Sequence, residues 1–418
     1  MELTAIVADV LGIAPERVVD SARPGELENW DSVRHVHLIM RLEKQYGVSF
    51  DYAEMTRLTS VGDIRSALRK RARTRVWPGV RKRAGDPAGN RVRSPPRERR
   101  TEMSDTMLRT AVPSERLSAV SDEDLRTLLL IRHFETALLD LFAAGELHGT
   151  VHTCLGQEYV PVALRPLLRD DHVLSNHRGH GHYLARYDDP AGLLAEILGR
   201  EGAVCDGVGG SQHIHRDRFL STGVQGESLP VGCGMALHTR RRGRSELVVG
   251  YIGDGTWGEG AVYEALNMAA LWRLPLLVVV ENNGIAQSTP TGAQMAGGVA
   301  GRAAAFGIPY EHIDGIDINA ARRRLAEPVA RVRAGEGPLI VEFATHRLGP
   351  HSKGDDTRPP EVVEEARRHD WYRLYPAIAP EQFPRLDGEQ RALVAELVRE
   401  VMARPPARWT GAPTGGTA

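Results

Sequence analysis

The sequence predicts an α/β domain, a parallel sheet flanked by helices, preceded by a small all-α bundle. Three observations carry that prediction. Short continuous runs rich in Val, Ile and Leu (Leu247 to Ile252, Leu276 to Val280, Leu339 to Phe343) alternate with segments of helical periodicity. Runs of this kind suit strands buried on both faces and joined by helical crossovers. Residues 1 to about 68 keep a helical pattern throughout. At 418 residues the chain exceeds one ordinary core and fits two to three domains of about 150 residues each.

In chain order, a first amphipathic helix is marked by Leu3, Ile6, Val7, Val10 and Leu11. The stretch Glu28-Asn-Trp-Asp-Ser-Val33 precedes a second helix, Val36 to Tyr46, with apolar residues at Val36, Leu38, Ile39, Leu42 and Tyr46. A short helix near Val61 to Leu68 closes this segment, taken as a domain over 1–70. Ser32 stands at a helix start, where serine is also a preferred N-cap. Residues 69–100 carry 13 Lys and Arg against only Asp86 and Glu98, with Pro78, Pro87, Pro95 and Pro96. Such a stretch buries too little apolar surface to order itself, so a disordered basic linker is expected over 71–114. Trp77 is its one aromatic residue, which argues against a nucleic-acid arm. The α/β domain is expected over 115–405 and a flexible tail over 406–418.

Composition narrows the classes further. With 42% hydrophobic and 26% charged residues and a formal net charge of -1, the chain is globular, not collagenous or membrane-spanning. Its apolar runs fall far short of the roughly 20 residues that cross a bilayer. The opening MELTAIVADVLG lacks the basic start of a secretory signal. Three cysteines, Cys154, Cys205 and Cys233, form neither a disulfide framework nor a metal spacing. A cytoplasmic location is expected.

Tyr251-Ile-Gly-Asp-Gly-Thr-Trp-Gly-Glu-Gly260 follows one strand and opens a helix, Ala261 to Leu271. The next strand ends in Val280-Glu-Asn-Asn-Gly284. Ligands of open parallel sheets sit beyond the carboxyl ends of the strands. Asp254 and Asn283 occupy two such ends, joined by one crossover. A carboxylate, an amide oxygen and a backbone carbonyl are hard ligands which, with diphosphate oxygens, would complete an octahedral magnesium site. Gly253 and Gly255 let the backbone approach phosphates, and the following helix N-terminus favours their charge.

Two resemblances add to this reading. The helices of residues 1–68, with Trp-Asp-Ser and LIMRLEKQYGVSF, resemble the acyl carrier protein family. That implies a 4'-phosphopantetheine arm on Ser32, attached by a phosphopantetheinyl transferase. The Gly-Asp-Gly and Asn-Asn pair matches the thiamin diphosphate motif. With HRGHGHYLAR (177–186), GVGGSQHIH (207–215), EALNMAALWRLPLLVVVENN (264–283) and HRLGPHSKGDD (346–356), residues 125–375 resemble the α subunit of the E1 component of 2-oxo acid dehydrogenase complexes.

The second resemblance implies thiamin diphosphate and Mg2+, with Asp254, Asn283 and the Ile285 carbonyl on the metal. It implies Arg178 on the diphosphate, the Gly223 carbonyl on the aminopyrimidine, and His177, Gly253, Gly255 and Thr256 along the cofactor. His180 and His351 match the family's active-site histidines. An E1 β-type subunit, in an α2β2 assembly, and a lipoyl-bearing E2-type acyltransferase are the implied partners. Three positions depart from the family pattern. His177 replaces a tyrosine; Gln225 replaces the aliphatic wedge under the cofactor, with Val224 as a candidate substitute; and Pro350 precedes His351. The expected function is generation of a short, two-carbon acyl unit from a 2-oxo acid or ketose, passed through lipoamide to a phosphopantetheine thiol. The alternative is an ordinary pyruvate or acetoin dehydrogenase subunit whose N-terminal domain only docks.

Overall fold

The structure, a computed structural model, describes residues 3–23, 30, 34, 38–39, 41–42, 45–46, 48, 58, 60–73, 117–147, 149–352, 356 and 358–409. Ser32, all but residues 71–73 of the expected linker and all but 406–409 of the expected tail lie outside the described residues. The chain divides into two compact units, Met1–Pro96 and Arg97–Ala418.

In the first unit, α1 (Leu3–Leu11) buries Leu3, Ile6, Val7, Ala8 and Leu11, the face its periodicity marks. Helical residues at 38–39, 41–42 and 45–46 place Leu38, Ile39 and Leu42 in the same apolar cluster, together with Trp30. Helix α2 (Val61–Arg73) adds Val61, Ile64 and Leu68. Its start is fixed by Ser60, whose Oγ accepts from the Asp63 backbone N–H at 3.1 Å and donates to the Asp63 carboxylate at 2.8 Å. The described residues of this unit include helices and no strand, in keeping with the all-α bundle the sequence predicts.

In the second unit a seven-stranded sheet forms the centre. Its strands are β1 (His172–Ser175), β2 (His215–Arg216), β3 (Phe219–Ser221), β4 (Val248–Gly253) and β5 (Leu276–Asn282), then, after a short hairpin of β6 (Ile285–Ala286) and β7 (Thr289–Pro290), β8 (Tyr310–Ile313) and β9 (Leu339–Ala344). The order is β2-β3-β1-β4-β5-β9-β8, and every pairing but β2 with β3 is parallel. The apolar runs are continuous because both faces are covered. Val249, Tyr251, Leu277, Val279, Val341 and Phe343 join one cluster, while Val248, Ile252, Leu276, Val278, Val280 and Ile340 join the other.

The first face is covered by α3 (Asp122–Ala143), α4 (Tyr159–Leu164), α5 (His180–Tyr187), α6 (Pro190–Leu198), α9 (Ile318–Arg333) and α10 (Gln382–Ala403). The second is covered by α7 (Ser228–Arg241) and α8 (Gly260–Leu271). The β4–α8–β5 crossover sets Gly253 opposite Glu281, so the loops after both strands emerge side by side. Among the described residues no helix is long and apolar enough to cross a membrane.

Candidate active site

Beyond the carboxyl ends of β1, β4 and β5 lies a cavity of about 380 Å³. His177 and Arg178 reach it from the loop after β1. Gly253, Asp254, Gly255 and Thr256 reach it from the end of β4, and Asn283 and Ile285 from the end of β5. Gly223, Gln225 and His351 complete the wall. His180 does not line the cavity. Val224, the candidate substitute wedge, is 58% exposed and does not line it either.

One corner is anionic and dry. Asp254 is buried and accepts from the Thr291 hydroxyl and from the backbone N–H of Asn283. Burial still pushes its carboxyl above the usual range, against the effect of both hydrogen bonds. Asn283 is held on two sides: its Nδ2 donates to Gln157 Oε1 at 3.1 Å, and its Oδ1 accepts from the Ile285 backbone N–H at 3.3 Å. Glu281, also buried, keeps Oε1 without a hydrogen bond among the described residues, with His182 Nε2 3.4 Å away. A Cβ on Gly255 would stand 2.6 Å from Ala286 Cβ, so only glycine lets the two loops close here. Hard oxygen donors, buried and short of positive charge, suit a divalent cation.

The other corner is cationic. The Arg178 side chain donates Nη1 to the Thr153 carbonyl at 2.6 Å and Nη2 to both the carbonyl and Nδ1 of His351 at 3.1 Å. It meets no carboxylate among the described residues. Burial, followed by the neighbouring Arg347 charge, pushes its pKa down to about 10. A buried guanidinium that, among the described residues, bonds only neutral acceptors fits an anionic group of a ligand. An arginine can only donate, so His351 Nδ1 accepts and the ring's proton sits on Nε2.

Between the corners three imidazoles meet. The His152 ring centroid lies 4.7 Å from that of His177 and 4.6 Å from that of His351. Burial, and after it the Arg178 charge, holds His177 well below its ordinary pKa. Gln225 donates to His177 Nδ1 at 2.9 Å and accepts from the Thr256 hydroxyl at 2.7 Å. His152 and Gln157 carry no motif spacing that would have singled them out in the sequence.

His180 sits behind the wall, 1% exposed. Its Nδ1 lies 3.1 and 3.2 Å from the two Glu135 oxygens, and its Nε2 lies 2.9 Å from Ser211 Oγ. Burial works to raise the Glu135 pKa, but the charge of His180 and hydrogen bonds from His180 and the Cys154 backbone hold it below the usual range. The signal for Glu135 was in the sequence. It is a carboxylate on the stripe of α3 shared by Ile131 and Leu138, both buried.

Ser211 is placed by another buried carboxylate. Glu196 Oε2 accepts from the backbone N–H groups of Cys205 (2.7 Å) and Gly207 (3.0 Å), and Oε1 from those of Gly209 (2.7 Å) and Gly210 (3.0 Å). Glu196→Gln puts amide hydrogens against two of these donors. Each donor left unmet costs roughly 1–3 kcal/mol. Chemical denaturation should show that loss, with faster hydrogen exchange at 205–210. Unchanged exchange there would show that the loop does not depend on the carboxylate.

The dehydrogenase E1 component family model matches residues 126–377, and the phosphopantetheine attachment site model matches residues 2–68. The α subunit of acetoin:2,6-dichlorophenolindophenol oxidoreductase from Cupriavidus necator is 36% identical over 295 residues, covering 67% of this chain and 89% of that protein. The pyruvate dehydrogenase E1 component α subunit of Rhizobium meliloti is 35% identical over 286 residues, covering 65% of this chain and 82% of that protein. The family works with thiamin diphosphate, and the attachment site carries 4'-phosphopantetheine. The chain belongs to the dehydrogenase E1 component family, as an E1 α-like subunit fused to a phosphopantetheine attachment domain.

Proposed function

We propose that this chain, with an E1 β-type partner, takes a short two-carbon acyl unit from a 2-oxo acid or a ketose. The unit passes through the lipoamide of an E2-type acyltransferase to a phosphopantetheine thiol on Ser32. The observation that carries this reading is the convergence of Asp254, Asn283 and Arg178 on one cavity, in a chain that also matches a phosphopantetheine attachment site. Relatives named as α subunits support the β-type partner.

In this reading Asp254, Asn283 and the Ile285 carbonyl hold magnesium, and Arg178 receives the diphosphate. Gly253, Gly255 and Thr256 line the phosphates, and the Gly223 carbonyl accepts from the aminopyrimidine. Bound thiamin diphosphate supplies an electron sink beside the reacting carbonyl carbon. The chain's own groups bind, orient and move protons. Arg178 occupies His351 Nδ1, which leaves the proton of that ring on Nε2. His177, held well below its ordinary pKa, leaves the positive charge of this corner to Arg178 and Arg347. Glu135 and Ser211 hold the His180 ring between them, at Nδ1 and at Nε2.

Incubation with a phosphopantetheinyl transferase and coenzyme A should add one phosphopantetheine mass to the chain and none to Ser32→Ala. With the β-type and E2-type partners present, acyl loading should disappear in Ser32→Ala. The names of the relatives favour a second reading, an ordinary dehydrogenase whose first domain only docks. There, Ser32→Ala would leave acyl output to coenzyme A untouched.

A further inference from the structure

The two polar residues that depart from the family pattern near the reacting centre, His177 and Gln225, touch each other. Gln225 Nε2 lies 2.9 Å from His177 Nδ1. The same nitrogen lies 3.3 Å from the Gly223 carbonyl, which can only accept, so the amide cannot be turned the other way. Its Oε1 receives the Thr256 hydroxyl at 2.7 Å. An amide held in this sense offers N–H to His177. Nδ1 is therefore the acceptor, and the one proton of the neutral ring sits on Nε2. Burial and the adjacent Arg178 charge keep that ring neutral. A directed chain thus runs from the Thr256 hydroxyl through the Gln225 amide to His177 and ends in a single N–H donor on a residue of the cavity wall.

Resting on the function proposed above, we infer that Gln225 is a positioning residue that fixes His177 as an Nε2–H donor. The His177–Gln225 pair then selects acyl sources bearing an oxygen on the carbon next to the reacting carbonyl over those bearing only hydrogen there. A substrate oxygen accepts from the N–H, whereas a methyl group offers it no acceptor. A site built to bond a hydroxyl discriminates against the analogue lacking it for this reason. The donor cannot relax by moving its proton to Nδ1, because the amide N–H already points there.

The test uses the full chain assembled with its β-type partner and reads reduction of 2,6-dichlorophenolindophenol with hydroxypyruvate and with pyruvate. The ratio of kcat/KM for hydroxypyruvate over pyruvate should fall about tenfold in Gln225→Val and in His177→Phe, the loss of one hydrogen bond. The double variant should fall no further than either single, since both cut the same chain. An unchanged ratio overturns the inference, and so does an additive fall in the double variant. A second readout needs no turnover. In 15N-histidine spectra His177 should be the Nε2–H tautomer and should switch to Nδ1–H in Gln225→Glu, where a carboxylate can only accept. A His177 signal indifferent to that change overturns the positioning role. A parent enzyme that converts neither compound would instead defeat the proposed function and the selectivity built on it, while the tautomer result would stand or fall alone.

Discussion

Asp254→Ala is expected to abolish magnesium-dependent binding of thiamin diphosphate to the assembled enzyme. Asp254 is one of two buried carboxylates in the cavity's anionic corner, positioned by the Thr291 hydroxyl and the Asn283 backbone N–H. Burial raises its pKa, so the ionised form is costly in this corner unless a cation lies beside it. Changes to residues that only orient a metal ligand cost roughly 10- to 100-fold in affinity. Loss of the ligand itself should exceed that range, and Thr291→Val should fall within it. Calorimetric titration with thiamin diphosphate, with and without magnesium, separates the two variants. Equal affinity in Asp254→Ala and the parent would remove the cofactor site from this cavity, and with it the proposed function.

The second large effect is on stability. Arg132 on α3 forks between two buried carboxylates. It reaches Glu158 at 2.6 Å and Asp370 at 3.0 and 2.7 Å, and its side chain is only 8% exposed. Glu158 is tied further to the Trp371 indole N–H at 3.1 Å and the Gly156 backbone N–H at 2.9 Å. Arg132→Leu keeps the packing against Trp371 and Tyr372 but strands two negative charges in a dry interior. The expected cost is about 3–5 kcal/mol, read as a lower urea midpoint for the second unit. Replacing all three partners by apolar residues should restore much of it, because the penalty lies in the unpaired charges rather than in the lost bridge. A midpoint shift below about 1 kcal/mol for Arg132→Leu would show that water reaches the two acids.

The three central strands were legible because a strand covered on both faces has no polar register to interrupt it. Val248, Val249, Leu276, Leu277 and Val278 record that directly. The shorter strands β1, β3 and β8, of four, three and four residues, were not, since a run that short is indistinguishable from a loop with two apolar residues. The cofactor corner was legible for a related reason. Glycine flanking an acid at a strand end is a local pattern, and the single crossover between β4 and β5 turns it into a spatial one. What stayed hidden is long-range. Nothing in the sequence near Gln225 announces His177, 48 positions earlier, as its partner. Glu135 and Glu196 were visible as charges on apolar stripes, yet their roles depend on His180 and on a glycine loop that only the fold delivers.

That glycine loop has a kinetic consequence. Loops of this composition commonly wander until a phosphate captures their amides, whereas here the anion is Glu196, covalently part of the chain. Four amide dipoles are satisfied at all times, and the segment leading to Ser211 is preorganised before any ligand arrives. Hydrogen exchange at 205–210 should therefore be equally slow before and after the cofactor binds, whereas a ligand-gathered loop would gain protection.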